Sequence, residues 1–455
     1  MTAPTTVRTP WGLYYAVFAA AFISLIDVSI VWVALPTVQA ELGADVAGAQ
    51  WVVDAYTVAL AAFLLSGGSL GDRYGRKRVF LCGLSGFVLG SAVCAFAPTV
   101  GVLLVGRAVQ GVAAAVMLPG TLAILGRSEA DPARRARLFG YWGVSASAAV
   151  LAGPILGGVL VEAFGWSSIF LINLPVGLVA VVVGLRAVPE SADPEHTSLD
   201  PVGQVLGVAA LGLTTFAVIE GRWGEAVTLV PLGAGVAAAV AFVLVERRLR
   251  APMLPVRLLG QGRFGRVVAS AALFCLGANG SYLLVSLYYQ HAEGRSALTT
   301  GLMMIPMTAS VLPMSYVAGR LLGRHGPWVP MRLGCLVTSL GLFGLVLAPG
   351  VSYWAMVPLF VLVGAGYGLA ATPAAAAVIS AVPAHRVGVA SGTLNAARQA
   401  GTAVGIAVQG SILTAGYAAG TRWGMAFSGV AVLAAAVVVS TGRATDDHPG
   451  WTSRV

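Results

Sequence analysis

Charge is scarce in this 455-residue chain, where Asp, Glu, Lys and Arg make up 10% of all positions, against about a quarter in soluble domains. Lysine is almost missing, with Lys77 alone among many arginines. Cysteine is limited to Cys82, Cys94, Cys275 and Cys335, spread along the chain, which excludes a disulfide framework and a cysteine-rich metal site. The 5 histidines lie in loops or at the edges of apolar runs without paired ligand spacing, so neither a metal nor any other cofactor is expected. The formal charge of +9 is divided among short loops and makes no continuous stripe for nucleic acid. Polar–apolar alternation is absent from runs such as 58–65 and 179–183, which argues against β-barrel strands. No nucleophile–base pair or polar domain is present to support an enzyme.

What the chain does have is apolar length. Hydrophobic residues make up 58% of it and the mean hydropathy is +0.86. Apolar runs occur at 12–36, 51–71, 79–98, 101–126, 139–161, 167–187, 201–220, 226–246, 265–289, 298–320, 329–349, 353–382, 387–414 and 423–442. A membrane-crossing helix needs roughly 20 mostly apolar residues, and a soluble protein made of such helices would have no wet face. The expectation is an all-α polytopic protein of the plasma membrane with 14 spans. The first run ends in ALP without a cleavage pattern, so it is expected to stay as a span rather than be removed as a signal.

Basic residues orient the spans. Arg107 and Arg398 lie inside them, and Arg222, Arg295 and Arg422 fall on one side. The rest fall on the other, including Arg73, Arg76, Lys77 and Arg78, the group from Arg247 to Arg266, and Arg320, Arg324 and Arg332. Excess Lys and Arg in short loops marks the cytoplasmic side, which puts both termini in the cytoplasm. The polar segment VPESADPEHTSLD (188–200) and the basic segment ERRLRAPMLPVRLLGQGR (246–263) divide the chain into six, two and six spans. Residues 1–187 would form one six-helix bundle and 264–442 a second. Residues 188–263 would hold linkers and two inserted helices at about 201–220 and 226–246, packed outside the path of the solute, and 443–455 a short cytoplasmic tail. The loops GSLGDRYGRKR (68–78) and GRLLGRHGP (319–327) resemble each other at equivalent positions, as in transporters built from duplicated halves.

A charge at membrane depth is costly, so one retained there is a functional candidate. Asp27 lies past the middle of the first span, and Arg107 lies early in the fourth with Gln110 a turn on. A buried carboxylate responds to desolvation and to a nearby cation, so Asp27 is either a proton carrier or an architectural partner. Asp54, near the end of its span with Trp51 and Tyr56, either binds a proton or cation or sits hydrated in a vestibule. A lipophilic cation resting on those aromatic faces would make cations part of the cargo. Glu220 and Glu246 close their spans and are expected to reach water. In the loop at 68–78, Gly68, Gly71 and Gly75 permit a tight turn, and Asp72 can cap a helix or pair with an arginine. Arg73 and Arg76 hold the inner surface there, unless the loop is only a basic anchor. In the fifth span Gly153, Pro154, Gly157 and Gly158 predict a kinked, closely packed helix, for architecture or for a seal. Large amphipathic solutes need aromatic walls with few polar groups, for which Trp142, Asn279, Tyr282, Ser286, Tyr289, Tyr316 and Tyr367 are candidates, with Asn395 and Arg398 in the thirteenth span.

These stretches in order resemble the major facilitator superfamily, in particular its fourteen-helix drug:proton antiporter branch of multidrug and quaternary-ammonium exporters. LIDVSIVWVALP (25–36) is similar to the branch's first-helix motif, GSLGDRYGRKR (68–78) to its loop motif, LVGRAVQGVAAA (104–115) to its fourth-helix motif and GPILGG (153–158) to its antiporter motif. GWSSIFLINLPVG (165–177) and GVASGTLNAARQAGTAVG (388–405) extend the match over nearly the whole chain. The resemblance implies the major facilitator fold and an export reaction driven by proton influx; the expected partners are protons, an amphipathic solute and membrane lipid, with no obligatory protein partner. Both halves lie in one chain, so a monomer is expected to suffice, and the resemblance implies that Asp27 is a functional membrane residue and that Arg107 assists proton transfer. Asp72 and Arg76 would gate the cytoplasmic side, and 153–158 would prevent leak. The second loop copy has Arg320 and Arg324 but no aspartate matching Asp72, which implies an asymmetric gate. Asp54 stands where many relatives carry a small polar residue. A dedicated exporter of one endogenous metabolite or antibiotic is the alternative.

Overall fold

The computed structural model describes residues 11–129, 131–192, 200–221, 225–249, 254, 256–260, 262–382, 387–413 and 416–441. The tail at 443–455, Arg222, Arg386 and much of the linker at 188–200 lie outside the described residues. Fourteen long helices account for most of what is described: α1 Trp11–Leu42, α2 Val46–Tyr74, α3 Arg76–Ala95, α4 Val100–Ser128, α5 Pro132–Phe164, α6 Ser168–Ala187, α7 Pro201–Ile219, α8 Ala226–Arg248, α9 Gly262–Ala292, α10 Ala297–His325, α11 Trp328–Leu345, α12 Tyr353–Ser380, α13 Val387–Ile412 and α14 Tyr417–Ser440. Thirteen of these are long and apolar enough to cross a membrane, among the described residues. The remaining one, α13, carries Asn395, Arg398, Gln399 and Gln409, which lower its hydropathy.

The helices overrun the apolar runs at several ends. Hydropathy registers the part that suits lipid, whereas backbone hydrogen bonding continues past it. Thus α1 passes through Pro36 to Leu42, α2 starts at Val46 rather than 51, and α5 starts at Pro132. The earlier start of α14 brings Arg422 inside that helix, where its Nη2 donates to the Pro349 carbonyl at 3.2 Å. Asp45, Thr99, Asp200 and Ser296 cap α2, α4, α7 and α10 by accepting from backbone N–H groups.

Helix pairing repeats between the two six-helix sets. In the first, α1 packs on α5 and α6, α4 on α2 and α3, and α3 on α6. In the second, α9 packs on α13 and α14, α12 on α10 and α11, and α11 on α14. Each pairing in one set has its counterpart eight helices later. The two seams between the sets, α2 on α13 and α5 on α10, are related in the same way. The pair α7–α8 is held by α7 across the first of these seams: Gln204 Nε2 donates to the Ala62 carbonyl on α2 at 2.9 Å, and Ser411 Oγ on α13 donates to the Val218 carbonyl at 2.6 Å. Close helix approach rests on missing side chains. A methyl at Gly67 would run into the Ala115 carbonyl of α4, whereas one at Gly68 would meet Pro119 at an ordinary 3.8 Å.

Candidate functional site

The acid and the arginine singled out by their depth in the membrane meet. Asp27 and Arg107 are buried at 0% and 1% exposure and form an ion pair through Asp27 Oδ2 and Arg107 Nη1. The other carboxylate oxygen of Asp27 accepts from Gln110 Nε2 and Asn173 Nδ2, both at 3.1 Å. Those two amides also converge on Ser91 Oγ, at 2.7 and 3.0 Å. Three donors thus address one carboxylate, an arrangement that suits the anion. Arg107 has further partners that are not acids. Its Nε donates to the Val52 carbonyl at 2.9 Å, Nη1 also reaches Gln110 Oε1 at 2.9 Å, and the guanidinium lies 4.5 Å from the Tyr56 ring centre and 5.8 Å from that of Phe170. The network joins α1, α2, α3, α4 and α6, so a change of charge at Asp27 would be felt by most of the first set.

Asp54 is not a vestibule residue. It is fully buried, and neither carboxylate oxygen has a hydrogen-bond partner among the described residues. The early start of α2 explains the depth: Asp54 lies about 12 Å along the helix from Val46 at 1.5 Å per residue. A site without donors tolerates the neutral acid far better than the anion. The expected aromatic cradle for a cation is also taken apart. The buried Tyr56 holds Arg107 and donates to the Ser24 carbonyl at 3.2 Å, and Trp51 Nε1 donates to Glu220 Oε1 at 2.8 Å. Glu246, expected in water, is only 2% exposed and accepts from the backbone N–H of Leu254 at 3.1 Å.

The glycines of α5 lie at two interfaces. Gly153 and Gly157 press on Ser29 and Ile30 of α1, while a methyl at Gly158 would stand 2.6 Å from Leu298 Cα of α10. The α5 helix runs unbroken through Pro154, whose carbonyl abuts Gly301 of α10. Hydrogen bonds between the sets gather at the end of the bundle where α1, α5 and α9 finish. Ser286 Oγ donates to the Trp32 carbonyl at 2.7 Å, Gln290 Nε2 to the Val33 carbonyl at 3.1 Å, and Ser296 Oγ to Glu162 Oε2 at 3.1 Å. Tyr282 stacks on Trp32 at 4.6 Å and His291 meets Gln39 at 3.0 Å. Towards the arginine-rich end, α10 beyond Ser310 packs chiefly on α11 and α12, and Tyr141 of α5 and Tyr316 of α10 are exposed. The two sets are therefore joined by side-chain hydrogen bonds at one end, and α2 and α13 stay in contact further along, with Gly392 against Leu65.

Gly158→Val should force this seam apart at a cost of about 1–3 kcal/mol, typical of overpacking. The expected result in liposomes loaded with a pH-sensitive dye is faster decay of an imposed proton gradient without solute, with Gly68→Ala indistinguishable from wild type. A tight Gly158→Val protein would remove 153–158 from any sealing role.

The loop at the arginine-rich end closes on itself. Asp72 pairs with Arg76 at 2.6 Å across one helical turn, and Arg73 lies 5.5 Å from the Tyr74 ring centre. Gly75 has φ +105°, which favours glycine, and a methyl there would also strike Glu190. Glu190 accepts from the backbone N–H groups of Lys77 at 3.1 Å and Arg78 at 3.3 Å, anchoring the start of α3 to the segment after α6. Glu190 escaped notice in the sequence because it lies in an acidic linker where every carboxylate looks solvated.

The remaining candidates are spread over both sets. Ser286, Tyr282 and Tyr289 are buried in or beside the closed end, so they belong to its packing in this conformation. Trp142 Nε1 donates to Thr121 Oγ1 at 3.2 Å, Asn279 Nδ2 to Thr402 Oγ1 at 2.6 Å, and Arg398 Nη2 to the Tyr367 hydroxyl at 3.2 Å. Asn395 is exposed. Sequence reasoning passed over Asn173, Ser91 and Tyr56 in the Asp27 network. The polar Asn173 inside LINLPVG carried the available signal, since a buried amide also needs partners.

The chain matches the profile of the Major Facilitator Superfamily over residues 17–406. It is 36% identical over 397 residues to the Multidrug resistance protein Stp of Mycobacterium tuberculosis (strain CDC 1551 / Oshkosh), covering 87% of this chain and 74% of that protein. It is 32% identical over 409 residues to the Tetracenomycin C resistance and export protein of Streptomyces glaucescens, covering 89% of this chain and 76% of that protein. In overall shape it is similar to the peptide transporter POT solved in complex with sulfate, with a TM-score of 0.70 at 16% identity over 96% of this chain and 95% of that one. At that identity the likeness concerns the fold alone.

Proposed function

The chain belongs to the Major Facilitator Superfamily, and on that premise we propose that it is a proton-coupled antiporter exporting amphipathic small molecules by alternating access. The efflux-type relatives make it a multi-pass membrane transporter rather than an enzyme. The observation that carries proton coupling is the buried Asp27–Arg107 pair with its Gln110, Asn173 and Ser91 partners. Proton arrival at Asp27 would release the carboxylate from Arg107, whose bond to the Val52 carbonyl and contact with the Tyr56 ring can retain the cation. Loss of that pair loosens α1 from α4, and α1 also packs on α5, the helix that seals against α10.

The arginine-rich end is taken as cytoplasmic, with both termini on that side. The Asp72–Arg76 loop then acts as the cytoplasmic gate, and the α7–α8 pair packs outside the solute path while the two six-helix sets enclose it. One chain supplies both sets and would transport as a monomer, without a cofactor. The test uses inverted membrane vesicles with an acidic lumen: a solute is taken up and protons leave as it is added. Uptake indifferent to the pH gradient would sink the reading. A dedicated exporter of one compound is the second reading, favoured by the relative named for tetracenomycin C export; a resistance screen in a pump-deficient host separates the two by breadth.

Asp54 is the second proton site of the proposal, on the strength of its burial without donors. Asp54→Asn is expected to keep solute exchange while lowering the protons moved per solute, read from paired dye and solute fluxes in liposomes. An unchanged ratio would make Asp54 structural.

A further inference from the structure

The two membrane-embedded arginines have opposite surroundings. Arg107 is matched by an acid, whereas helices α9 to α14 contain no Asp or Glu at all. Among the described residues, Arg398 of α13 donates to the Tyr367 hydroxyl of α12 at 3.2 Å and also interacts with the Cys275 thiol of α9, neither of them an acid. A guanidinium kept inside a membrane helix without a counter-ion is costly and marks a ligand path or relay. Arg398 and Tyr367 also line a small recess together with Phe274, Cys275, Met331 and Ala371. The Phe274 ring meets Tyr367 edge-on at 5.3 Å, giving the recess an aromatic wall beside its cation. Asn395, three residues before Arg398 and so on a neighbouring part of the same helix face, is exposed. A planar guanidinium can bind an oxyanion through two parallel donors, which a hydroxyl partner alone does not use.

We propose that Arg398 and Tyr367 form an anion-binding subsite that takes the carboxylate or phenolate of an amphipathic solute, whose apolar body stays outside the recess. Charge selection of cargo then belongs to the second helix set, and organic anions are among the solutes carried. The proposal rests on the export reading for calling the ligand cargo. It is tested by binding to purified protein in detergent without any gradient, so failure of proton coupling would leave the result untouched.

The probes are fluorescein, an anionic xanthene carboxylate, and rhodamine 123, a cationic xanthene ester of similar size, read by fluorescence anisotropy. Wild type should bind fluorescein, and Arg398→Gln should weaken that binding about tenfold or more, the worth of a charged hydrogen bond. Rhodamine 123 affinity should be unchanged. Arg398→Lys should keep most of the fluorescein affinity, since the charge remains, and so reports on folding as well. Equal fluorescein affinity in wild type and Arg398→Gln, absence of fluorescein binding by wild type, or parallel loss of both dyes would overturn the subsite. Displacement of fluorescein by a small excess of phosphatidylglycerol would give the site to lipid headgroups and overturn its assignment to solute.

Discussion

Asp27→Asn is expected to reduce gradient-driven export to background while leaving folded protein in the membrane. The amide preserves the volume of the side chain and one acceptor oxygen for the donors that converge on it. It cannot exchange a proton, so the step that would release Arg107 is lost. Some destabilisation is expected, because the amide brings its own N–H groups into a nest of donors. A charged hydrogen bond is worth about 1.5–3 kcal/mol, so membrane abundance should fall without vanishing. Solute exchange in the absence of a pH gradient should persist, since the path itself is unchanged. The measurement is uptake into inverted vesicles with and without an imposed gradient, normalised to protein. Export at an unchanged rate and with unchanged pH dependence would show that Asp27 is architecture.

The parts of this site that were legible in sequence were those whose cost in a membrane is high. Asp27 and Arg107 stood out for that reason, and the fold places them in contact. Asn173, Ser91 and Tyr56 were not legible, because such residues also serve as packing or interface anchors and apolar spans show no periodicity to tell which face they occupy. Depth was misjudged for the residues of α2, where a hydropathy window starts the span later than the helix itself does. That error put Asp54 and Tyr56 near water, although both are buried. The number of long helices was legible from the length and spacing of the apolar runs, whereas which helices pair was not. The seam contacts were not legible either, because Ser286 to the Trp32 carbonyl or Gly158 to Leu298 joins residues far apart in sequence with no local signal to pair them.

Arg107→Ala is expected to lower the amount of folded protein more than any other substitution at this site. It leaves the Asp27 carboxylate buried with two amide donors and no cation, and breaking a buried pair on one side costs about 3–5 kcal/mol. The variant also loses the bond to the Val52 carbonyl and the contact with the Tyr56 ring, the latter worth about 0.5–2 kcal/mol. Arg107→Lys keeps the charge but not the planar fork that serves Asp27, Gln110 and Val52 together, so it should fold and export poorly. Removing the stranded charge should repair part of the damage. The Asp27→Asn, Arg107→Ala double variant is therefore expected to be more abundant and to melt higher than Arg107→Ala alone, while remaining unable to use the proton gradient. Detergent-solubilised protein followed by fluorescence-detected size exclusion after heating gives the order of stabilities: wild type, then Asp27→Asn, then the double variant, then Arg107→Ala. A double variant no better than Arg107→Ala would mean that the arginine stabilises α4 through Val52 and Tyr56 rather than through the acid, and the pair would lose its standing as the coupled element.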